Sequence, residues 1–311
     1  KILENKKKSL ELKTLKTWDL KVDTSGQEPL KPYKNTDEMV NKVIEGFSQL
    51  NPKFGAFIAE QRDKKHQDLD SRDGKYPGGY NYPLAESGIP FIFMNSVGTN
   101  RDLETMVHEG GHAIHSFLCR DFPFNFFKGT GMEVAELASM SMELFSVSFL
   151  DLFYNESEIK RSVTEKIEET IATLVWVAQV DKFQHWIYTN PNHLAEDRNN
   201  EWLKITKEFS THMVDSEEFE ANKRIGWQSQ LHIFEVPFYY IEYGFAQLGA
   251  IAMWKNFEKN PQKTIRQYEE FMALGNTKTI PEIYKTAGIK FDFSDAYIAD
   301  LMKFFADKLE K

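Results

Sequence analysis

The sequence predicts a mainly α-helical fold with a small β element. Three observations lead there. Apolar residues recur at helical spacing over most of the 311 residues, and Gly (17) and Pro (11) are sparse. Turn-forming residues gather in one stretch, Asp73 to Pro83, ahead of a short apolar run.

The elements follow in order. The start, with Lys6, Lys7 and Lys8, reads as a solvated helix face. Asp23 to Pro32 carries Gly26, Pro29 and Pro32 and reads as an extended connector, so residues 1–35 hold a first helix and a connector. A helix is predicted over 36–50, and Gly55-Ala-Phe-Ile-Ala reads as a strand. A second strand is expected at Phe91, Ile92, Phe93 and Met94, an apolar run bounded by Pro90 and Asn95. Helices are then predicted over 99–120, 131–154, 157–188, 194–214, 216–223, 236–258, 262–274, 280–287 and 293–310. The first of these opens on Thr99 or Asn100 as N-cap, with Asp102 and Glu104 as acids near its positive end. No repeat or low-complexity linker interrupts the chain, so residues 1–311 read as one domain.

Composition narrows the function classes. Hydrophobic residues are 41% and charged residues 27%, and no apolar run approaches the ~18 residues a bilayer span needs, so no membrane partner is expected. A formal net charge of −9 argues against nucleic-acid binding. Cys119 is the only cysteine, which excludes an intrachain disulfide and a cysteine-rich metal site and suits a reducing cytoplasm. The start at Lys1, without an initiator Met or an apolar leader, is that of an internal or processed piece. Nothing constrains the oligomeric state.

The chemistry concentrates at His108-Glu109-Gly110-Gly111-His112, an H-E-x-x-H pattern. On a helix the two histidines share a face, so both imidazoles can grip one zinc ion, and Glu109 can reach a water on the same metal. The implied reaction is metal-assisted hydrolysis, usually of a peptide bond. Gly110 and Gly111 each cost a helix about 1 kcal/mol relative to Ala, so a close approach by substrate or another helix is the better reason for them.

A catalytic zinc keeps three protein ligands and an open position. A longer form of the motif, with Gly three and His six residues after His112, is excluded because His115 and Leu118 stand there. His115 shares the face of His108 but lies about 10 Å along the axis from it, which makes it a supporting or packing residue. Carboxylates come instead from Glu133, Glu136 and Glu143, near one face of the next helix among small and apolar residues. Buried unpaired there they would be costly, and a dication or its histidine ligands would compensate them. Spacing leaves Glu133 and Glu136 open as the third ligand, and Glu143 is placed to orient a ligand imidazole. His66, His185, His193 and His212 lack ligand spacing and read as surface or structural residues.

Several separated segments together resemble the catalytic region of the M3 family of metallopeptidases, nearest its oligoendopeptidase F branch. They are Thr17-Trp-Asp-Leu, Asp73-Gly-Lys-Tyr-Pro-Gly-Gly, Pro90-Phe-Ile-Phe-Met-Asn, His108-Glu-Gly-Gly-His-Ala-Ile-His, Glu136-Leu-Ala-Ser-Met, and His232 through Tyr243. The resemblance spans nearly the whole chain. It implies a multi-helix gluzincin-type catalytic domain with a small β-sheet or hairpin beside the active-site cleft. It also implies one zinc per chain with Glu136 as third ligand, and short peptides as substrates. It gives His232 and Tyr243, with either Tyr239 or Tyr240, a role in contacting substrate and stabilising the transition state. The resemblance also implies a further N-terminal helical region, expected to lie outside this sequence, and Gly110 stands where many members carry Phe or another large residue.

Glu109 is then expected to take a proton from zinc-bound water and deliver it to the leaving amine. The Phe91–Met94 strand is expected to hold an extended peptide along its edge. A carboxypeptidase or dipeptidase on the same zinc helix, and a peptide-binding piece with little activity, are the alternatives.

Overall fold

Helices carry most of the chain in the structure, a computed structural model describing residues 2–211 and 213–309; His212 lies outside the described residues. In chain order the elements are α1 (Ile2–Ser9), β1 (Leu15–Lys16), α2 (Thr36–Leu50), α3 (Pro52–Asp63), β2 (Gln67–Asp70), β3 (Tyr80–Tyr82), β4 (Phe91–Ser96), α4 (Asn100–Cys119) and α5 (Met132–Phe145). There follow α6 (Glu156–Thr189), α7 (Ala195–Phe209), β5 (Val214–Asp215), α8 (Glu220–Arg224), α9 (His232–Glu235), α10 (Ile241–Phe257), α11 (Pro261–Met272), α12 (Ile280–Thr286) and α13 (Asp295–Leu309). Among the described residues, no helix is long and apolar enough to cross a membrane.

The chain divides into two compact units, Lys1–Glu28 with Glu168–Gly244, and Pro29–Ile167 with Phe245–Lys311. In the larger unit α4 is the central helix, packed on α5, α3 and α2. Phe47, Phe54, Ile58, Ile114, Leu137, Phe145 and Phe149 are fully buried in this unit, each burial giving about 1.5–3 kcal/mol. Tyr268 of α11 is buried among them and donates its hydroxyl to the Ala138 carbonyl of α5 at 2.6 Å. The sheet of this unit has the order β2-β4-β3. β2 runs parallel to β4, with Gln67 opposite Ile92, and β3 runs antiparallel to it, with Tyr80 opposite Phe93 and Tyr82 opposite Phe91.

In the smaller unit Val180, Phe183, Trp202, Ile205, Trp227 and Ile233 form the core. β1 and β5 pair in parallel, Leu15 opposite Val214.

Several expectations need correction. Gly55-Ala-Phe-Ile-Ala lies within α3, not a strand. Asn51 caps that helix by accepting from Lys53 N, Pro52 takes its first turn, and Phe54, Phe57, Ile58 and Gln61 are buried at helical spacing. Lys6 is not a solvated residue: it is buried, its Nζ donates to the carbonyls of Leu20 (2.8 Å) and Val22 (3.1 Å), and Glu168 lies 3.5 Å away. The helix predicted over 131–154 ends at Phe145 and gives way to 3-10 turns in which Phe149 is non-helical. The helix predicted from 236 starts at Ile241, because Pro237 cannot donate and Phe238 sits at φ 61°. The predicted 194–214 helix stops at Phe209, and Val214 pairs as a strand.

Candidate metal centre

α4 begins at a capping box. Thr99 accepts from Asp102 N, and Asp102 Oδ2 accepts from Thr99 N (2.8 Å), Val97 N (2.9 Å) and the Tyr33 hydroxyl (3.1 Å). The same carboxylate thus ties the end of β4 to the start of α4. One to three turns along, His108, Glu109 and His112 follow.

The glycine pair is explained by helix packing. A Cβ on Gly111 would stand 2.8 Å from Ser139 Cα and 3.0 Å from the Ala138 carbonyl, so only glycine lets α4 meet α5 at this distance. A Cβ on Gly110 would meet the ring of Phe47 at 2.8 Å. Phe47 thus fills from α2 the space beside Gly110.

That close approach brings Glu136 under the histidines. Its Oε2 lies 3.4 Å from His108 Nε2 and 3.7 Å from His112 Nε2, and the three potential ligand atoms all fall within 4.8 Å of one another. Ser139, one turn along α5, donates to the same carboxylate at 2.9 Å. Glu133 is not part of this group. Glu143 Oε1 accepts from His108 Nδ1 at 2.6 Å, which turns Nε2 towards Glu136. Glu143 in turn pairs with Lys166 of α6. His115 is buried, and its Nε2 has no hydrogen-bond partner among the described residues.

The electrostatics are those of a cation site. Burial raises Glu136. Burial opposes protonation of His108, but the Glu143 hydrogen bond and charge, with Glu136 and Glu109, push it up to about 9. Burial, then the His108 charge, lowers His112. Burial would raise Glu143, but Lys166 and His108 hold it down to about 2. Three carboxylates, Glu109, Glu136 and Glu143, stand around two imidazoles, and a dication would fit between His108, His112 and Glu136.

Glu109 is buried against the sheet. Burial pushes its carboxyl up to about 7, offset in part by His108 and by a hydrogen bond from the Asn81 backbone of β3. Its Oε2 has no hydrogen-bond partner. It lines a cavity of about 390 Å³ with Gly78, Gly79, Asn95, Thr105 and His108. A Cβ on Gly79 would stand 3.7 Å from Glu109 Oε1.

The loop before β3 is fastened to β4. Lys75, with its side chain 1% exposed, donates to the carbonyls of Asp70 (2.9 Å) and Met94 (2.5 Å), and Asn95 Nδ2 donates to those of Tyr76 (2.9 Å) and Gly78 (3.0 Å). The expected substrate strand is corrected by this sheet. Phe91, Ile92 and Phe93 are paired on β4 with β3, and Ile92 and Phe93 also with β2, so the middle strand offers no edge there. Ile92 and Met94 are buried, and Phe93 stacks on Tyr80 at 4.9 Å. The free edge on the Glu109 side is β3. Its three residues lie in a Gly/Pro-bounded stretch, too short for a period to register in sequence.

In the smaller unit His232 stands in a ring cluster with Tyr239 (5.7 Å), Tyr240 (4.9 Å) and Tyr243 (5.9 Å). Tyr239 and Tyr240 precede α10, and the cluster forms through the Phe238 turn rather than through helical spacing. Trp176 Nε1 donates to Gln230 Oε1 (2.9 Å), which orients Gln230 Nε2 to donate to His232 Nδ1 (2.6 Å). Burial lowers His232, so the ring is neutral with its proton on Nε2. Sequence reading missed Gln230, Trp176, Lys166 and Asn81, whose contacts run through chain-distant partners or backbone, and gave Ser139 no role although it lies one turn from Glu136.

Oligopeptidase PepF of Bacillus subtilis is 24% identical over 313 residues, covering 98% of this chain and 45% of its own length. The chromosomal oligoendopeptidase F of Lactococcus lactis subsp. cremoris is 23% identical over 324 residues, covering 99% of this chain and 51% of its own. The chain thus spans about half the length of these relatives. The solved structure of PZ peptidase A with an inhibitor superposes with a TM-score of 0.91 at 26% identity, over 99% of this chain and 55% of that one. The model of peptidase family M3 matches residues 1–303, metal-ligand pattern and sheet included, and the chain belongs to that family.

Proposed function

We propose that this chain is the catalytic region of a zinc-dependent oligopeptidase that cleaves internal bonds of short peptides. The observation that carries the reading is the convergence of His108, His112 and Glu136, with the buried carboxyl of Glu109 electrostatically coupled to His108 and Glu136. The names of the relatives, oligopeptidase and oligoendopeptidase, support short peptides as substrates.

His108 Nε2, His112 Nε2 and a Glu136 oxygen would hold the ion. Zinc bound there would lower the pKa of a water towards about 7 and would polarise the scissile carbonyl. Glu109 does the proton work. The Asn81 N–H fixes the carboxylate, and its remaining acceptor capacity would take the proton of the attacking water and return it to the leaving amide nitrogen. An extended peptide would add to the β3 edge at Tyr80–Tyr82 through the backbone groups that β4 and Glu109 leave free, which makes recognition tolerant of side chains. For His232, held as the Nε2–H tautomer, and for the hydroxyls of Tyr243 and of Tyr239 or Tyr240, the proposed role is donation to the developing oxyanion. A cytoplasmic location belongs to the same reading, supported by the single buried thiol of Cys119.

The test is a peptide blocked at both ends, incubated with the zinc-loaded protein and read by mass spectrometry. Internal cleavage is expected, and Glu109→Gln should bind zinc at parent stoichiometry with cleavage reduced by about 100-fold or more, the range for losing a general base. No cleavage of the blocked peptide, with end-trimming of the same peptide left unblocked, would make the protein an exopeptidase. Full activity in Glu109→Gln would remove the assigned role of Glu109.

A further inference from the structure

We propose that Lys166 is a positioning residue of the metal centre, holding the imidazole of His108 in its ligating orientation through Glu143. The proposal rests on the metal-centre reading above and extends it to a residue on a third helix.

The geometry is a three-group line. Lys166, on α6, pairs with Glu143 Oε2, while Glu143 Oε1 accepts from His108 Nδ1 at 2.6 Å. The opposite ring nitrogen, His108 Nε2, is the one that lies 3.4 Å from Glu136. Each oxygen of Glu143 therefore has its own cationic or N–H partner, and the carboxylate plane is fixed at both ends. Lys166 and Glu143 are each only 13% exposed, so the pair is shielded from solvent and from salt far more than a surface ion pair. A second acid, Glu104 of α4, lies 3.9 Å from the same ammonium and limits its travel. With the ammonium removed, Glu143 Oε2 would be left buried without its charge partner. The carboxylate would then turn to recover solvent, and the His108 ring would turn with it. Partners that orient metal-binding histidines in this way are worth about 10–100-fold in metal affinity. In sequence Lys166 is one of several lysines among acids on a long helix and carries no signal of this contact.

The test is zinc affinity by chelator competition at fixed pH, with the melting temperature of the metal-free protein measured alongside. Lys166→Met, which keeps the stem and drops the charge, should weaken zinc binding about 10–100-fold. Lys166→Arg, which keeps the charge, should remain near the parent. In a Glu143→Gln background, Lys166→Met should weaken binding little further, because the two residues act in series. A role confined to joining helices would instead lower the metal-free melting temperature and leave zinc affinity unchanged, and that result overturns the proposal, as does full additivity with Glu143→Gln. Should Lys166→Met fail to fold, Lys166→Gln carries the same comparison. His112→Ala separates the two levels. If it binds zinc like the parent, the metal-centre reading falls and Lys166 with it; if it loses zinc while Lys166→Met does not, only the Lys166 assignment falls.

Discussion

Glu133 and Glu136 stand one turn apart on α5, and their environments differ sharply. Glu136 is buried, accepts from Ser139 and faces both imidazoles. Glu133 is half-buried and its carboxylate folds back on Gly131, whose added Cβ would meet Glu133 Oε2 at 2.4 Å. Glu136→Ala is therefore expected to weaken zinc binding by more than about 100-fold, beyond the range for supporting partners. Glu133→Ala should leave it unchanged. Chelator competition on the two variants decides the matter, and the reverse order would move the ligand. At this scale the two histidines were legible, because four-residue spacing on a helix is local geometry. Spacing alone did not choose between the glutamates, since three residues leave both on nearly the same face; only the family resemblance implied Glu136. What separates them is the direction in which α4 lies.

Among elements, the contact of α4 with α5 is the joint on which the ligand set depends. Gly111 meets backbone of α5, which cannot give way as a side chain can. Gly111→Ala is expected to push the helices apart and lower stability by about 1–3 kcal/mol, as overpacking does. Its melting temperature should fall, and its zinc affinity with it, because Glu136 rides on the displaced helix. An unchanged melting temperature would show that the contact is loose. The sequence flagged the glycines as unfit for helix stability and allowed either substrate or a helix as the reason; for Gly111 the near neighbour is a helix. The sheet was less legible. Phe91–Met94 was found because an apolar run between Pro and Asn is a strong local signal. That it is the middle strand depends on β2 and β3, whose polar, short sequences carry no period. α3 was misread because the β-compatible run Gly55–Ala59 outweighed the cap at Asn51.

Across the whole molecule, all three candidate ligands lie in the larger unit. Zinc at 100 times its dissociation constant should stabilise the fold by about 2.7 kcal/mol. In hydrogen exchange the added protection should concentrate on amides of α4 and α5, with the β1–β5 pair of the other unit least affected. Equal protection throughout would show that the ligands do not report on one unit alone. The mainly helical class was legible over most of the chain, since amphipathic periodicity is carried by each helix independently. The division into two units was legible only at 28/29, within the Gly/Pro connector; the boundaries at 167/168 and 244/245 fall inside the continuous helices α6 and α10, where helical periodicity runs on without a linker.

The sequence by itself settled what is local: the helical pairing of His108 with His112, the carboxylate between them, the start of α4 at its capping box, and the family. Spacing left Glu133 and Glu136 open and only the resemblance pointed to Glu136; the tertiary structure brought Glu136 to both imidazoles, set Lys166 behind Glu143, and put the free sheet edge at β3. Those outcomes depend on packing between segments far apart in the chain, and the physical determinant is how closely two backbones can approach. A residue pattern along one helix does not contain that distance; the meeting of Gly111 with Ser139 does.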